Sequence, residues 1–154
     1  MKTKIIVSAC LLGENCKYSG GNNKDEKVIA LSQDFELIPV CPECFGGLPI
    51  PRTASEIDMH QGGQRVLSAE GEDRTAAFQA GAQRCVEIAR EEGCTLAVMK
   101  AKSPSCGSGQ VYDGTFSGTL VPGDGIATRY LTLAGVRVIS ENDVESLLVL
   151  GKSC

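Results

Sequence analysis

Apolar positions along this chain follow two rhythms. Short β-branched or aliphatic runs occupy residues 4–9 (Lys-Ile-Ile-Val-Ser-Ala), 35–40, 96–99 and 136–139, and such runs suit buried strands of a parallel sheet. Pro39 predicts that the second run is a strand end or an edge, because proline donates nothing to a ladder. Between the runs, apolar residues return every three or four positions. Asn23 and Glu26 have capping-box spacing ahead of Val28, Ile29 and Leu31, which predicts a short helix over 24–33. Phe78, Ala82, Cys85 and Ala89 share one face of a helix over 72–92, with Gly93 as its stop. Asp124 is expected to cap a helix carrying Ala127, Tyr130, Leu131 and Ala134, closed by Gly135. Asn142 with Glu145 is expected to open a terminal helix bearing Val144, Leu147 and Leu148.

Strands alternating with helices predict an α/β fold, a single domain over 1–154 built on one doubly wound, mostly parallel sheet flanked by helices, Rossmann-like in architecture. Ligands of such sheets sit beyond the carboxyl ends of the strands. Two Pro- and Gly-rich segments, 42–64 and 100–118, read as irregular loops, the first with at most one helical turn. Loops of that length in a compact domain are generally functional or disordered.

Composition narrows the function. The chain has 154 residues, 42% of them apolar, enough for one core. A formal charge of −4 lacks the basic footprint that stable binding to nucleic acid or acidic lipid requires, and no apolar stretch approaches the roughly 20 residues of a membrane span. One histidine, His60, and no tryptophan exclude a site built from several imidazoles. Eight cysteines are the chemical signal. Val7-Ser-Ala-Cys10 has the look of a lipoprotein signal, but the apolar segment before it is shorter than the roughly 7–15 residues a signal needs. A cytoplasmic location is therefore expected, where clustered thiols lean toward metal binding or redox chemistry.

Cys85, on the apolar face of the long helix, and Cys94, at the start of a buried strand, read as core; Cys154 is the terminal residue. Cys10, Cys16, Cys41, Cys44 and Cys106 lie in loops. Cys10, Cys41 and Cys106 each follow a strand and so reach the same sheet edge, which points to a metal or cluster site; the alternative is free loop thiols, one of them reactive beside a helix N-terminus. Cys41-Pro42-Glu43-Cys44 is a C-x-x-C, read alone as a zinc half-site or a redox pair. Cys10 and Cys16 lie six apart and Cys106 stands alone, a poor match to the paired spacing of zinc ribbons. Iron–sulfur clusters accept thiolates from separated loops, and three thiolates on a four-iron cube leave one iron open as a Lewis acid.

Val7-Ser-Ala-Cys-Leu-Leu-Gly13, Cys16-Lys-Tyr-Ser-Gly-Gly21, Pro39-Val-Cys-Pro-Glu43, Gly46-Gly-Leu-Pro49, Pro51-Arg52 and Lys102-Ser-Pro-Ser-Cys-Gly107 resemble, in order and across essentially the whole chain, the bacterial thiouracil desulfurase family. The resemblance implies a [4Fe-4S] cluster held by Cys10, Cys41 and Cys106, and non-redox removal of sulfur from a small thiolated pyrimidine, thiouracil or a thiouridine nucleotide. Cys44 stands where the family has another residue, and Cys16 belongs to the motif without being one of the three ligands, its role open between packing, sulfur handling and ligation. Glu43, two residues past a predicted ligand, is a candidate general base, the alternative being a solvated loop carboxylate. Ser103 is the candidate for positioning substrate or water, with Ser105 capping local backbone or touching substrate. Arg52, Lys100 and Lys102 are candidates for a nucleotide phosphate or simply solvated charges. The rival function is a non-catalytic zinc or iron–sulfur carrier using Cys10, Cys41, Cys44 and Cys106.

Overall fold

The computed structural model describes residues 2–147. Strand β1 (Thr3–Ser8) lies at the middle of a four-stranded sheet. It pairs in parallel with β2 (Phe35–Val40) on one side and with β5 (Leu96–Met99) on the other, and β8 (Arg137–Ser140) pairs in parallel beyond β5. The order β2-β1-β5-β8 puts Pro39 on an edge strand, where its missing N–H costs no ladder bond.

Alternation along β1 sends its side chains into two cores. Ile5 and Val7 pack with Val28 and Leu31 of the first helical segment and with Val98, Ile139 and Val144. Ile6 faces the other way, with Ala97 and Met99, against the long helix and Leu131. Helix α1 (Glu26–Ala30) thus covers one face, while α3 (Thr75–Glu92) and α4 (Ile126–Leu133) cover the other. This is the doubly wound α/β arrangement that the alternating pattern predicts. The connection direction reverses between β1 and β5, and a crevice opens beyond the carboxyl ends of strands at such a switch point.

Both long loops carry structure their composition did not reveal. Residues 42–64 contain one short helix, α2 (Pro42–Phe45), and then β3 (Ser55–Ile57), which pairs antiparallel with β4 (Val66–Ser68). The loop after β5 contains β6 (Gln110–Tyr112), paired antiparallel with β7 (Leu120–Pro122). Three-residue strands are too short to show a period, so turn residues dominate the sequence signal there.

Three expected caps are replaced, each because the side chain or the backbone finds a different partner. Asp25, not Asn23, caps α1 by accepting from Lys27 N and Val28 N; the Asn23 amide turns instead to the Cys10 sulfur. Asp124 accepts from Gly109 N at 2.8 Å, and the first N–H groups of α4 are taken by the Pro104 and Ser105 carbonyls at 2.8 and 2.9 Å, leaving no place for a side-chain cap. Ser140 and Asp143 form the last capping box in place of Asn142 and Glu145. The long helix begins at Thr75 rather than 72 and ends on left-handed Gly93. Val144 and Leu147 are buried; Leu148 and Cys154 lie outside the described residues. Among those residues no helix is long and apolar enough to cross a membrane.

Helices α2 and α3 touch backbone to backbone. A Cβ on Gly81 would stand 1.8 Å from the Pro42 carbonyl oxygen, and one on Gly46 would stand 2.0 Å from that of Ala77. Only glycine at both positions lets α3 press directly on the segment that carries Cys41, Glu43 and Cys44. Gly81→Ala therefore has to drive α2 away. It is expected to destabilise the protein by about 1–3 kcal/mol, as overpacking does, despite the better helix propensity of alanine. Denaturant unfolding beside the exposed control Gln83→Ala checks this, a cost no larger than the control's counting against it.

Candidate functional site

A cavity of about 480 Å³ opens at the carboxyl edge of the sheet, and its wall includes Cys10, Cys16, Cys41, Glu43, Ser105 and Cys106. Strand β1 ends in a turn that delivers Cys10, β2 ends at Val40 and releases Cys41, and the loop after β5 returns with Cys106. The loops after β1 and β5 are fixed by neighbours. Ser8 Oγ accepts from Lys100 N at 2.9 Å, and Thr128 Oγ1 donates to the Cys106 carbonyl at 2.9 Å. The Asn23 amide donates to Cys10 Sγ at 3.4 Å.

Glu43 joins the three loops. Its Oε1 accepts from Arg52 Nε at 3.1 Å and its Oε2 accepts from Ser105 Oγ at 2.9 Å. Arg52 has a side chain only 2% exposed, and its other nitrogens donate to the carbonyls of Cys16 (3.0 Å) and Pro49 (3.1 Å). The guanidinium expected to meet a phosphate is thus committed to a carboxylate and two carbonyls. Ser105 has one proton to give. With that proton donated in the hydrogen bond to Glu43, the Ser105 oxygen accepts from Ser103 Oγ at 3.3 Å. Ser103 Oγ in turn accepts from Cys106 N at 2.7 Å, so the backbone-capping hydroxyl is Ser103 and the one bonded to the carboxylate is Ser105. Both line the cavity, as do Lys100 and Lys102. Lys100 Nζ pairs with Glu141 at 2.8 Å, while Lys102 is exposed and has no ion pair among the described residues.

The seven described cysteines are all free thiols. Cys85 and Cys94 are buried among apolar neighbours, as the helix face and strand pattern predict. The Cys16 thiol beside Cys41 and Cys10 favours their thiolates, lowering Cys41 to about 6 and Cys10 to about 7 against the opposing effect of burial. Cys16 itself is pushed far up by the same two neighbours and by burial. Burial raises Cys44 to about 11 and Cys106 to about 12. A metal cation beside a buried thiol reverses that last effect, because a coordinated sulfur loses its proton outright.

This donor set fits a thiolate-bound cluster. Soft sulfurs from three separate loops surround a cavity with room for a group larger than a single ion. Among the described residues no three His, Cys, Asp or Glu side chains are grouped to hold one metal ion.

The tie through Arg52 generates a stability prediction. Arg52→Met leaves Glu43, whose side chain is 14% exposed, without its counter-charge; breaking a fully buried pair typically costs about 3–5 kcal/mol, and a cost toward the lower end is expected here. Chemical unfolding of the cluster-free protein measures it, and a cost under 1 kcal/mol would show the pair to be idle. In the same preparation near neutral pH, iodoacetamide is expected to alkylate Cys41 and Cys10 before Cys106 and Cys85. Thiolates react and protonated buried thiols do not; peptide mass spectrometry against time reads the order.

Three likenesses bear on this geometry. The model of the family described as 2-thiouracil desulfurase matches residues 5–143. The uncharacterized protein YbbK of Bacillus subtilis (strain 168) is 39% identical over 150 residues, which cover 94% of this chain and 99% of that protein. A solved structure of a [4Fe-4S]-dependent thiouracil desulfidase, TudS, superposes with a TM-score of 0.88 at 37% identity, covering 99% of this chain and 100% of the other. With the family model spanning nearly every described residue and the fold shared end to end, the chain belongs to the 2-thiouracil desulfurase family.

Proposed function

We propose that this chain desulfurates a thiolated pyrimidine without net redox change. The reaction consumes the thiocarbonyl compound and water and releases the oxo-pyrimidine and hydrogen sulfide. The observation that carries this reading is the convergence of Cys10, Cys41 and Cys106 on one cavity together with the Glu43 carboxylate. We assign the three thiols as ligands of a [4Fe-4S] cluster, in keeping with the family and with TudS. When bound, the cluster would supply Lewis-acid chemistry that polarises the C–S bond.

The chain's own residues supply the rest. A carboxylate offers about four acceptor sites; Arg52 and Ser105 occupy two of those on Glu43, leaving others for a water molecule. Glu43 takes one proton as that water adds to the thiocarbonyl carbon; as the adduct collapses to the carbonyl, that proton and the one lost from the adduct's hydroxyl both go to the departing sulfur, which leaves as hydrogen sulfide. Ser105 holds the carboxylate in one orientation and Ser103 holds Ser105. For a nucleotide substrate, Lys102, and Lys17 beside Tyr18, are the cavity-wall cations without an ion pair among the described residues and so suited to a phosphate, Arg52 and Lys100 being already paired. A set of free thiols suits the reducing cytoplasm, and an acidic single domain suits a small substrate better than a nucleic acid.

Anaerobic iron, zinc and labile-sulfide analysis beside uracil release from 2-thiouracil tests the reading. Iron, labile sulfide and uracil together support it; one zinc without labile sulfide sinks it. Cys10→Ser, Cys41→Ser and Cys106→Ser are each expected to remove or degrade the cluster and abolish uracil release, because hydroxyl groups replace soft thiolates poorly. Cys85→Ala keeps the cluster and costs on the order of 1 kcal/mol of packing. Glu43→Gln keeps cluster content while turnover falls roughly 10²- to 10⁴-fold, the range of general-base catalysis. Full cluster with near-normal turnover in that variant removes Glu43 from the chemistry.

A further inference from the structure

At the end of the cavity wall formed by other loops, the protein exposes two aromatic rings that catalysis at the thiols leaves unused. Tyr18 and Phe116 both line the cavity, yet they are 47% and 39% exposed, among the few large apolar side chains left so open. They come from unrelated segments. Tyr18 sits in the loop after Cys16, where its carbonyl accepts from Arg52 N at 2.7 Å. Phe116 sits at the tip of the β6–β7 hairpin.

Phe116 is held there against its backbone preference. Its φ of 57° is left-handed, a region bulky residues rarely enter and which costs of order 1–3 kcal/mol. The surrounding turn enforces it. Glu56 on β3 accepts from both Gly114 N (3.0 Å) and Phe116 N (3.1 Å) through Oε1. Buried Asp113 accepts from Thr115 N at 2.9 Å and Thr115 Oγ1 at 2.6 Å, and its second oxygen meets His60 Nε2 at 2.8 Å. Gly114, at φ 101°, lies so close to β3 that a Cβ there would stand 2.6 Å from the Ile57 carbonyl oxygen. More than a third of the Phe116 surface is left open on this strained, many-bonded turn. Glycine would suit the turn better.

We infer that Phe116 is a specificity-determining residue that stacks on the flat ring of the substrate, with Tyr18, one face of whose ring lies under Lys17 Nζ at 5.8 Å, contributing from the same cavity wall. Stacking acts through the π-face and is tolerant of ring substituents. It selects thiocarbonyls embedded in a planar heteroaromatic ring over acyclic thioamides, which present no such face. The inference rests on the desulfuration reading for the identity of the ring.

The experiment uses cluster-loaded wild type, Phe116→Ala, Phe116→Gly, Phe116→Tyr and Tyr18→Ala. KM and kcat for 2-thiouracil, the competitive Ki of uracil and the thermal midpoint are measured for each. Phe116→Ala and Phe116→Gly are expected to raise KM and the uracil Ki in parallel by roughly 5- to 100-fold, the range base–aromatic stacking supplies. The effect on kcat is expected to be small, as for loss of uniform binding. Phe116→Tyr stays near wild type, and Tyr18→Ala shifts the same constants in the same direction. Phe116→Gly should also raise the midpoint, because glycine adopts the turn without strain. Unchanged KM and Ki with a lowered midpoint would show a purely structural residue and overturn the inference. If wild type releases no uracil from 2-thiouracil, the desulfuration reading fails by itself. Equilibrium dialysis of uracil against wild type and Phe116→Ala then still decides the stacking, equal retention or none by wild type overturning it.

Discussion

The site depends on one carboxylate. Glu43 accepts from Arg52 with one oxygen and from Ser105 with the other, and Arg52 reaches on to the Cys16 carbonyl. One side chain thereby ties the loop after β1, the segment after β2 and the loop after β5, the three that carry thiols into the cavity. Burying an ion pair is costly unless the remaining donors and acceptors are also satisfied. Here the guanidinium's other nitrogens find carbonyls, and no buried side-chain nitrogen or oxygen among the described residues lacks a partner. The same geometry that makes Glu43 a structural tie keeps it in one orientation, which a general base requires.

The sheet alone would not bring α2 close enough for this. The helix that covers the sheet, α3, meets α2 with glycines at Gly81 and Gly46, so the two backbones pack without intervening side chains. Leading out of β5, the other thiol loop is gripped by α4, whose first N–H groups bind the Pro104 and Ser105 carbonyls. Helix packing and helix capping are thus directed at positioning loops. The thiols so gathered are electrostatically unequal: the Cys16 thiol eases ionisation of Cys10 and Cys41, whereas burial opposes that of Cys106. Loading a metal group onto them has to expel protons from sulfur, which couples assembly to pH and to completion of the folded cavity.

Much of this was legible in the amino-acid order. Four strands, the face of α3 with Cys85 inside it, Pro39 on an edge and the delivery of Cys10, Cys41 and Cys106 to one sheet edge follow from periodicity and from the rule that parallel strands open their loops on the same side. The order of motifs likewise marks the family. These features survive translation from sequence because burial of whole faces is a property summed over many residues.

What only the tertiary structure decided is which polar partner each side chain takes. Asn23 leaves a helix cap for a sulfur, Arg52 meets Glu43 nine positions away across a folded loop, and Ser105 and Ser103 divide their hydrogen bonds between a carboxylate and an amide. The two short hairpins were hidden by their turns, and with them Glu56, 60 residues from the Phe116 amide it fixes. Each of these choices rests on one or two hydrogen bonds between residues distant in sequence. Several partners are chemically equivalent in the chain, and the selection among them is made by distances of a few ångströms that exist only once both cores have packed.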